Sequence, residues 1–410
     1  MKKSNSQSQN DNQELYLCIF SSLSFIVALI SILIHLVKNK GLGFADHQWL
    51  WAECACTLKG IDSAEAIRQG IQVQGIMLPA STSTFPWTKI LGVLIHGSFL
   101  PYDISCIYYV ILNTVVLTTM IVLVYRYMRE YSESNKVATV SILLMLSSWY
   151  LADLVTANNN ATMICALIII AIVIEDEHEV LSGVLIAFAM IKAQIVLPFC
   201  FVWLLKKKWK LLVTAAGIDI VCWLTSVVVT GVSPIRQLSN LVNMRVEMTE
   251  GYLVYGIFDG LRSFGVSSTM VLALSMFLGC ILLVLGFCLT DRVLPKELKW
   301  FRWSLPAMVS VFWCYKSQCD YNILMIVALM LVELWCTNKE SRTIVIVVII
   351  EVLMLMKPIS AVSAGLDWMG VINRDEAYYM VNRIDLYIKC ISYFLAYLFG
   401  VRVYCRRDKD

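Results

Sequence analysis

Asp46, Lys192 and Lys316 are the residues whose types and settings point most directly to group-transfer chemistry. Asp46 follows the first apolar stretch, in Gly43-Phe44-Ala45-Asp46-His47. A carboxylate at the water–lipid boundary can take the proton of a hydroxyl that attacks a lipid-borne group, if it stands within hydrogen-bonding reach. Aspartate is also a favoured helix N-cap, and 45–58 reads as a helix, so capping is a competing use. Lys192 sits in the middle of an apolar run with Pro198 close behind. An ionisable group at bilayer depth is a functional-site candidate, and an anion such as a lipid phosphate is its natural partner. A lysine that snorkels to the surface is the alternative.

Weaker signals surround these. Lys316, Gln318, Asp320 and Tyr321 form a polar cluster between two apolar helices. Phosphate or sugar hydroxyls could bind there, or the cluster is an ordinary turn. Asn158, Asn159 and Asn160 offer amide donors and acceptors, and asparagine also suits turns. Gln194 lies beside Lys192 at the same break in apolar pattern. Arg245 and Arg262 bring planar guanidinium forks suited to phosphate, although loop charges are commonly just solvated. His96 and His178 have no partner spacing and receive no role. The acidic run 175–179 reads as a solvated turn.

Several chemistries are excluded by pattern. No GxxxxGK[ST], GxSxG or HExxH occurs, which argues against ATP hydrolysis, a serine nucleophile and a zinc site. The 14 cysteines are scattered singly without metal-ligand spacing. Cys54-x-Cys56 is too tight for the usual disulfide reading. Cysteine here reads as a small apolar residue. No metal, no cofactor and no nucleic-acid partner is expected.

The elements that must position these residues follow from composition. The 410 residues are 59% hydrophobic and only 15% charged. A soluble domain would carry about 25% charged residues. A bilayer span needs roughly 20 apolar residues. The chain therefore reads as an all-α, polytopic integral membrane protein of about 12 membrane helices. One transmembrane domain is expected over 15–403, between a disordered polar tail (1–14) and a short tail (404–410). The first span is too long for a signal-peptide core, and no cleavage motif follows it.

Lys and Arg mark the cytoplasmic side, so both termini are placed inside. The substantial loops 38–101, 231–265 and 357–383 are placed outside. A single span over 180–205 would put Lys206-Lys207-Lys208-Trp209-Lys210 outside, against this rule. Lys192 and Pro198 also make an unbroken helix costly. Two short helices turning near Lys192-Ala193-Gln194 resolve both problems. In the first loop, 45–58 suits a helix in the interface plane with Trp49 and Trp51 at headgroup depth. A helix folded onto other loops is the alternative.

The arrangement resembles the C-type glycosyltransferases, and within them glycosyltransferase family 87, the polyprenol-phosphate-mannose-dependent mannosyltransferases. The likeness rests on Phe44-Ala45-Asp46 with Trp51-Ala52 and Leu58-Lys59-Gly60-Ile61-Asp62, and on Phe85-Pro86-Trp87. It continues through Asn158-Asn159-Asn160, Ser182-Gly183-Val184-Leu185, Ile191-Lys192, Lys207-Lys208-Trp209-Lys210, Phe312-Trp313 and Asp320-Tyr321. The resemblance implies transfer of a sugar from a polyprenyl-phosphate carrier to an acceptor hydroxyl on the outer face. It implies an aspartate base in the first outer loop, matched by Asp46, and a lysine of the broken-helix segment, matched by Lys192. Departures are a missing second proline after Phe85, Asp62-Ser63-Ala64 in place of Asp-Pro-Tyr, and no histidine near Trp313. Lys316 or Gln318 are the substitutes for that histidine.

Because a phosphate leaving group needs charge stabilisation more than a proton, one carboxylate suffices, whereas glycosidases use two. Asp46 would act as base and the lysines as electrostatic stabilisers, with inversion at the anomeric carbon. A bacterial cell membrane, with the site extracytoplasmic, is the expected setting. A transporter or flippase and a surface-polysaccharide polymerase or ligase are the competing functions. Only one broken pair is seen, without the second copy that inverted-repeat transporters carry.

Overall fold

The computed structural model describes residues 2–38, 43–78, 85–147, 158–251, 257–293, 298–314, 318–337, 342–355, 362, 366–367, 369–371 and 374–407. The helices in chain order begin with α1 (Lys2–Lys38), α2 (Ala45–Leu58) and α3 (Ser63–Arg68). A two-stranded hairpin, β1 (Gln72–Val73) and β2 (Ile76–Met77), precedes α4 (Lys89–His96), α5 (Tyr102–Ser132) and α6 (Asn135–Leu146). Next come α7 (Ala161–Ile174), α8 (Glu179–Ala189), α9 (Ala193–Leu205), α10 (Trp209–Thr230) and α11 (Pro234–Gly251). The last are α12 (Ser268–Val293), α13 (Lys299–Phe312), α14 (Met325–Thr337), α15 (Arg342–Leu355) and α16 (Arg374–Arg407). Among the described residues, seven segments are long and apolar enough to cross a membrane, and three apolar helices are shorter. The protein is an all-α integral membrane protein.

Two expected irregular stretches are helical. The polar N-terminal residues belong to α1 from Lys2 onward. The apolar span supplies the helix nucleus, and adding residues to an existing helix costs far less than starting one. Much of the expected second loop is α11.

The expected first loop is a folded layer. Asp62 caps α3, accepting from Ala64 N (3.1 Å) and Glu65 N (3.4 Å). The strand hairpin turns through Gln74 (φ 51°) and Gly75 (φ 78°). Two positive φ values in a two-residue loop are the mirror-image turn that matches strand twist. Trp51, Ala52, Ala55, Cys56, Ala66, Val73 and Ile76 form one apolar core. Trp51 is therefore buried in that core, while Trp49 stays 43% exposed. Of the two sequence readings, the helix folded onto other loop elements is the one observed. The layer's own apolar residues cover the helix face, so lipid is not needed to cover it.

Contacts divide the chain into two compact units. One comprises 36–123 with 153–254, the other 1–35 with 124–152 and 255–410. In the first, α8 packs along both α7 and α10. Ser182 Oγ donates to Ala171 O of α7 (3.1 Å). Gly183 faces α10, where an added Cβ would come within 2.5 Å of Leu211 O and 2.8 Å of Thr214 Cβ. Backbone cannot move aside as a flexible side chain can. Gly183→Ala should therefore push α8 off α10 and cost about 1–3 kcal/mol. Thermal unfolding of the purified protein measures this, and an unchanged Tm would refute the close approach.

The helical break falls where the sequence places it. α8 and α9 are separated by a tight 3-10 turn, Met190–Lys192. A continuous helix over 179–205 would set its ends about 40 Å apart. Instead the ends meet. Lys206 Nζ bonds Glu175 Oε1 at 2.6 Å, and Trp203 Nε1 donates to the other oxygen of Glu175. Lys208 pairs with Asp176 at 2.9 Å. Glu179 Oε1 accepts from Lys210 N at 3.1 Å, at the start of α10. The segment is thus a hairpin that returns to the side it came from. Asp176, Glu177 and His178 are exposed, as a solvated turn would have them, but Glu175 is fully buried, which corrects that reading at its first residue. A buried carboxylate needs such partners, because an unpaired one would be prohibitively desolvated.

In the second unit, α13 packs on α12, α14 and α16, and α14 also on α6 and α15. Glu333 of α14 accepts from Phe301 N (2.9 Å), one of the otherwise unmatched amides in the first turn of α13. Gly400 leaves room for the Phe301 ring, 2.2 Å from where a Cβ would stand.

Candidate functional site

Asp46 lies in the first turn of α2, and it is not the cap. Phe44 occupies the N-cap position without a side-chain cap. This removes the competing structural use of Asp46. Its carboxylate is half-buried and points at α7. Asn159 Nδ2 donates to Asp46 Oδ2 at 2.5 Å. The other end of the same amide faces a cation. Asn159 Oδ1 accepts from Lys192 Nζ at 3.0 Å and from Ala161 N at 2.8 Å. Donor faces carboxylate and acceptor faces ammonium, so the amide orientation is chemically consistent. Asp46, Asn159 and Lys192 form one hydrogen-bonded line across the heads of α2, α7 and the α8–α9 hairpin.

Length arithmetic explains why they meet. α7 has 14 residues and rises about 21 Å from the Glu175 layer to Asn160. The 13 residues from Glu179 to Ile191, about 20 Å of helical rise, carry the chain back up to Lys192. Asn159 and Lys192 therefore arrive at one level, some 20 Å from the layer of Glu175, Lys206 and Lys208. Asn158, at φ 48°, donates its side-chain amide to Gly43 O (2.5 Å), just before α2. Consecutive asparagines thus lash the start of α2 to the start of α7. Asparagine tolerates the left-handed backbone this requires.

The other expected residues are distributed as follows. Asn160 is the N-cap residue of α7, 1% exposed, and among the described residues neither of its amide atoms has a partner. Gln194 is half-buried in the first turn of α9. Arg245 lies in α11, and its side chain is outside the described residues. Lys316 is also outside the described residues. Arg262, Gln318, Asp320 and Tyr321 belong to the other unit. Arg262 is half-buried in a 3-10 turn over Asp259–Phe264. Gln318, Asp320 and Tyr321 share the 3-10 turn Gln318–Leu324, where Asp320 and Tyr321 are buried.

Three features were missed in the sequence reading. Lys389, on α16, pairs with Asp385 and places its Nζ 5.1 Å from the Tyr321 ring centre. The rule that singled out Lys192, a lysine within an apolar run, applies equally to Lys389. Asp62 and Lys89 form a buried ion pair at 2.8 Å, joining α3 to α4. Finally, His47 and His96 meet, Nδ1 to Nδ1 at 3.2 Å, between α2, α4 and α5. His47 Nε2 lies 3.1 Å from Ser105 Oγ, and both rings stack near Tyr109. Burial holds the His47 imidazolium down to about pKa 4 and His96 well below its ordinary value. Both rings are neutral at pH 7. Spacing could not reveal a pair 49 residues apart.

Among the described residues, no group of three or more His, Cys, Asp and Glu side chains is placed to hold a metal. The line from Asp46 to Lys192 joins a half-buried carboxylate to an ammonium through one amide. Such an arrangement can accept a proton at one end and stabilise developing negative charge at the other.

Residues 86–314, more than half of the chain, match the family model of glycosyltransferase family 87. The matched stretch contains the asparagine triplet, the α8–α9 hairpin and Lys192, and begins after Asp46. No curated protein matches. No solved structure matches.

Proposed function

The chain belongs to glycosyltransferase family 87 and is a membrane glycosyltransferase; from that membership we propose that it moves a hexose from a polyprenyl-phosphate carrier to an acceptor hydroxyl, with inversion. Mannose is the sugar the family resemblance implies. The architecture is that of a C-type glycosyltransferase with about 12 membrane helices, counting the hairpin as two. The carrying observation is the line Asp46–Asn159–Lys192.

Asp46 has Asn159 as its one hydrogen-bond partner among the described residues. Its Oδ1 is left for the acceptor hydroxyl. Asp46 takes the hydroxyl proton as the oxygen attacks the anomeric carbon. The bond from that carbon to the phosphate oxygen breaks on the opposite face, and the electron pair leaves with the phosphate. The Lys192 ammonium lies against the phosphate and stabilises its added charge. Inversion follows from this single displacement. Asn159 keeps base and cation in register. Asn160, with both amide atoms unpartnered, supplies a donor and an acceptor to sugar hydroxyls. Gln194 lies two residues from Lys192 and extends the same polar surface. For Arg245, Arg262, Lys316, Gln318, Asp320 and Tyr321 the proposed part in donor or acceptor binding rests on their residue chemistry alone.

The extracytoplasmic placement draws support from charge. Lys206, Lys208 and Lys210 cluster at the hairpin's open end, and clustered lysines mark the cytoplasmic side. The site level is about 20 Å further along the bilayer normal if α7 runs near that direction. A bacterial cell membrane would supply a polyprenyl-phosphate pool on that face.

Incubating membranes containing the protein with polyprenyl-phosphate carrying a tritiated hexose tests the donor class. The expected result is free polyprenyl phosphate and labelled acceptor in equal amounts. Transfer from a sugar nucleotide alone, with the polyprenyl-linked sugar left intact, would overturn the proposal.

A further inference from the structure

The hydrogen bonds around His47 specify which ring nitrogens carry protons. Ser105 Oγ donates its single proton to His96 O, because a backbone carbonyl can only accept. The oxygen must then accept from His47, so His47 Nε2 carries a hydrogen. A neutral ring has one protonated nitrogen, so His47 Nδ1 is bare and accepts. His96 Nδ1 must therefore be the donor in the 3.2 Å contact. That leaves His96 Nε2 bare, and in a fully buried place it has no partner among the described residues. Serine, two imidazoles and a carbonyl form a closed, directional ring of bonds joining α2, α4 and α5.

His47 is the residue after Asp46. Successive residues on a helix point about 100° apart. His47 faces α4 and α5, while Asp46 faces α7. The first turn of α2 has no side-chain cap to hold it. Its rotation about the helix axis, which aims Asp46, is held on one side by Asn159. On the other it is held by the fully buried His47 ring, stacked 4.3 Å from the Tyr109 centre.

We infer that His47, His96 and Ser105 are positioning residues: the directional bond ring Ser105–His47–His96 sets the rotation of the first turn of α2 and so holds the Asp46 carboxylate in register with Asn159 and Lys192. The inference rests on the proposed role of Asp46. Neither histidine touches substrate. Of the neutral pairings, the Nε2–H tautomer of His47 with the Nδ1–H tautomer of His96 is the one that satisfies all three bonds.

The test uses the full chain in lipid nanodiscs with 15N-labelled histidine; the sequence has four histidines, so the spectrum is assignable by single substitution. The expected result at pH 7 is a neutral Nε2–H tautomer for His47 and a neutral Nδ1–H tautomer for His96. Ser105→Ala should let His47 populate both tautomers. It should also lower kcat by about 10²-fold, the scale of a small misplacement at a reacting centre, with donor KM little changed. Ser105→Thr, which keeps the hydroxyl, should restore both the tautomer and the rate. The opposite His47 tautomer in the wild-type protein overturns the inference. So does Ser105→Ala with wild-type kcat, or a loss confined to KM or unfolding that threonine does not rescue. Asp46→Asn should leave the histidine tautomers unchanged. Near-normal transfer by Asp46→Asn would instead remove the catalytic reading while the tautomers stand, so the two failures are told apart.

Discussion

Asp46→Asn is expected to slow transfer by about 10²–10⁴-fold, the usual contribution of a positioned general base. The substitution is nearly isosteric. An asparagine carbonyl can still accept from Asn159 Nδ2, so the link between α2 and α7 is retained. What disappears is basicity. The loss should therefore fall on kcat, with donor KM close to wild type and insertion in the membrane unaltered. Measuring kcat and KM with polyprenyl-phosphate hexose separates these. Near-normal kcat in correctly inserted protein would exclude Asp46 as the base. Asp46→Glu is expected to recover only part of the rate, because the longer chain moves the carboxylate along the line toward Lys192.

Lys192→Met is the second large effect, about 10²–10³-fold in kcat, comparable to removing one preorganised stabiliser of developing charge. Methionine fills similar space and removes the ammonium. Asn159 Oδ1 keeps its bond to Ala161 N, so the amide stays oriented toward Asp46. The expected fall then reports lost stabilisation of the leaving phosphate. Lys192→Arg should restore part of it, since the charge returns on a planar fork of different reach. Undiminished kcat in Lys192→Met would show that the phosphate is held elsewhere.

Much of this was readable in the chain. The all-α membrane character follows from apolar runs too long for a soluble domain. The break at Lys192 was legible because a lysine, a proline and a misplaced lysine cluster all disfavoured one straight span. Asp46 and Lys192 were legible as candidates because each is an ionisable residue directly after or within an apolar run. The asparagine triplet was visible as polar density, yet its division of labour was not. Asn158 ties Gly43, Asn159 bridges the Asp46 carboxylate and the Lys192 ammonium, and Asn160 has no side-chain partner among the described residues.

The errors share one cause. For the face of α2 that carries Trp51 two covers stayed open, lipid or other loop elements, because amphipathicity shows which face is apolar and not what covers it. Here β1, β2 and α3 cover it. Glu175 looked solvated because its partners, Trp203 and Lys206, lie about one hairpin away in sequence. The helical N-terminus looked disordered because composition was read without the span that nucleates it.

The sequence alone determined the solvent this protein folds in, the place where one helix pair breaks, and which ionisable residues adjoin or interrupt apolar runs, because all three are written in the local pattern of polar and apolar residues. Only the tertiary structure decided which of those residues meet. Asn159 between Asp46 and Lys192, and His47 against His96, are contacts between segments separated by 33 to 113 residues. Such contacts depend on matched helix lengths and on close approaches at Gly92 and Gly183, where a missing Cβ lets neighbouring helices touch.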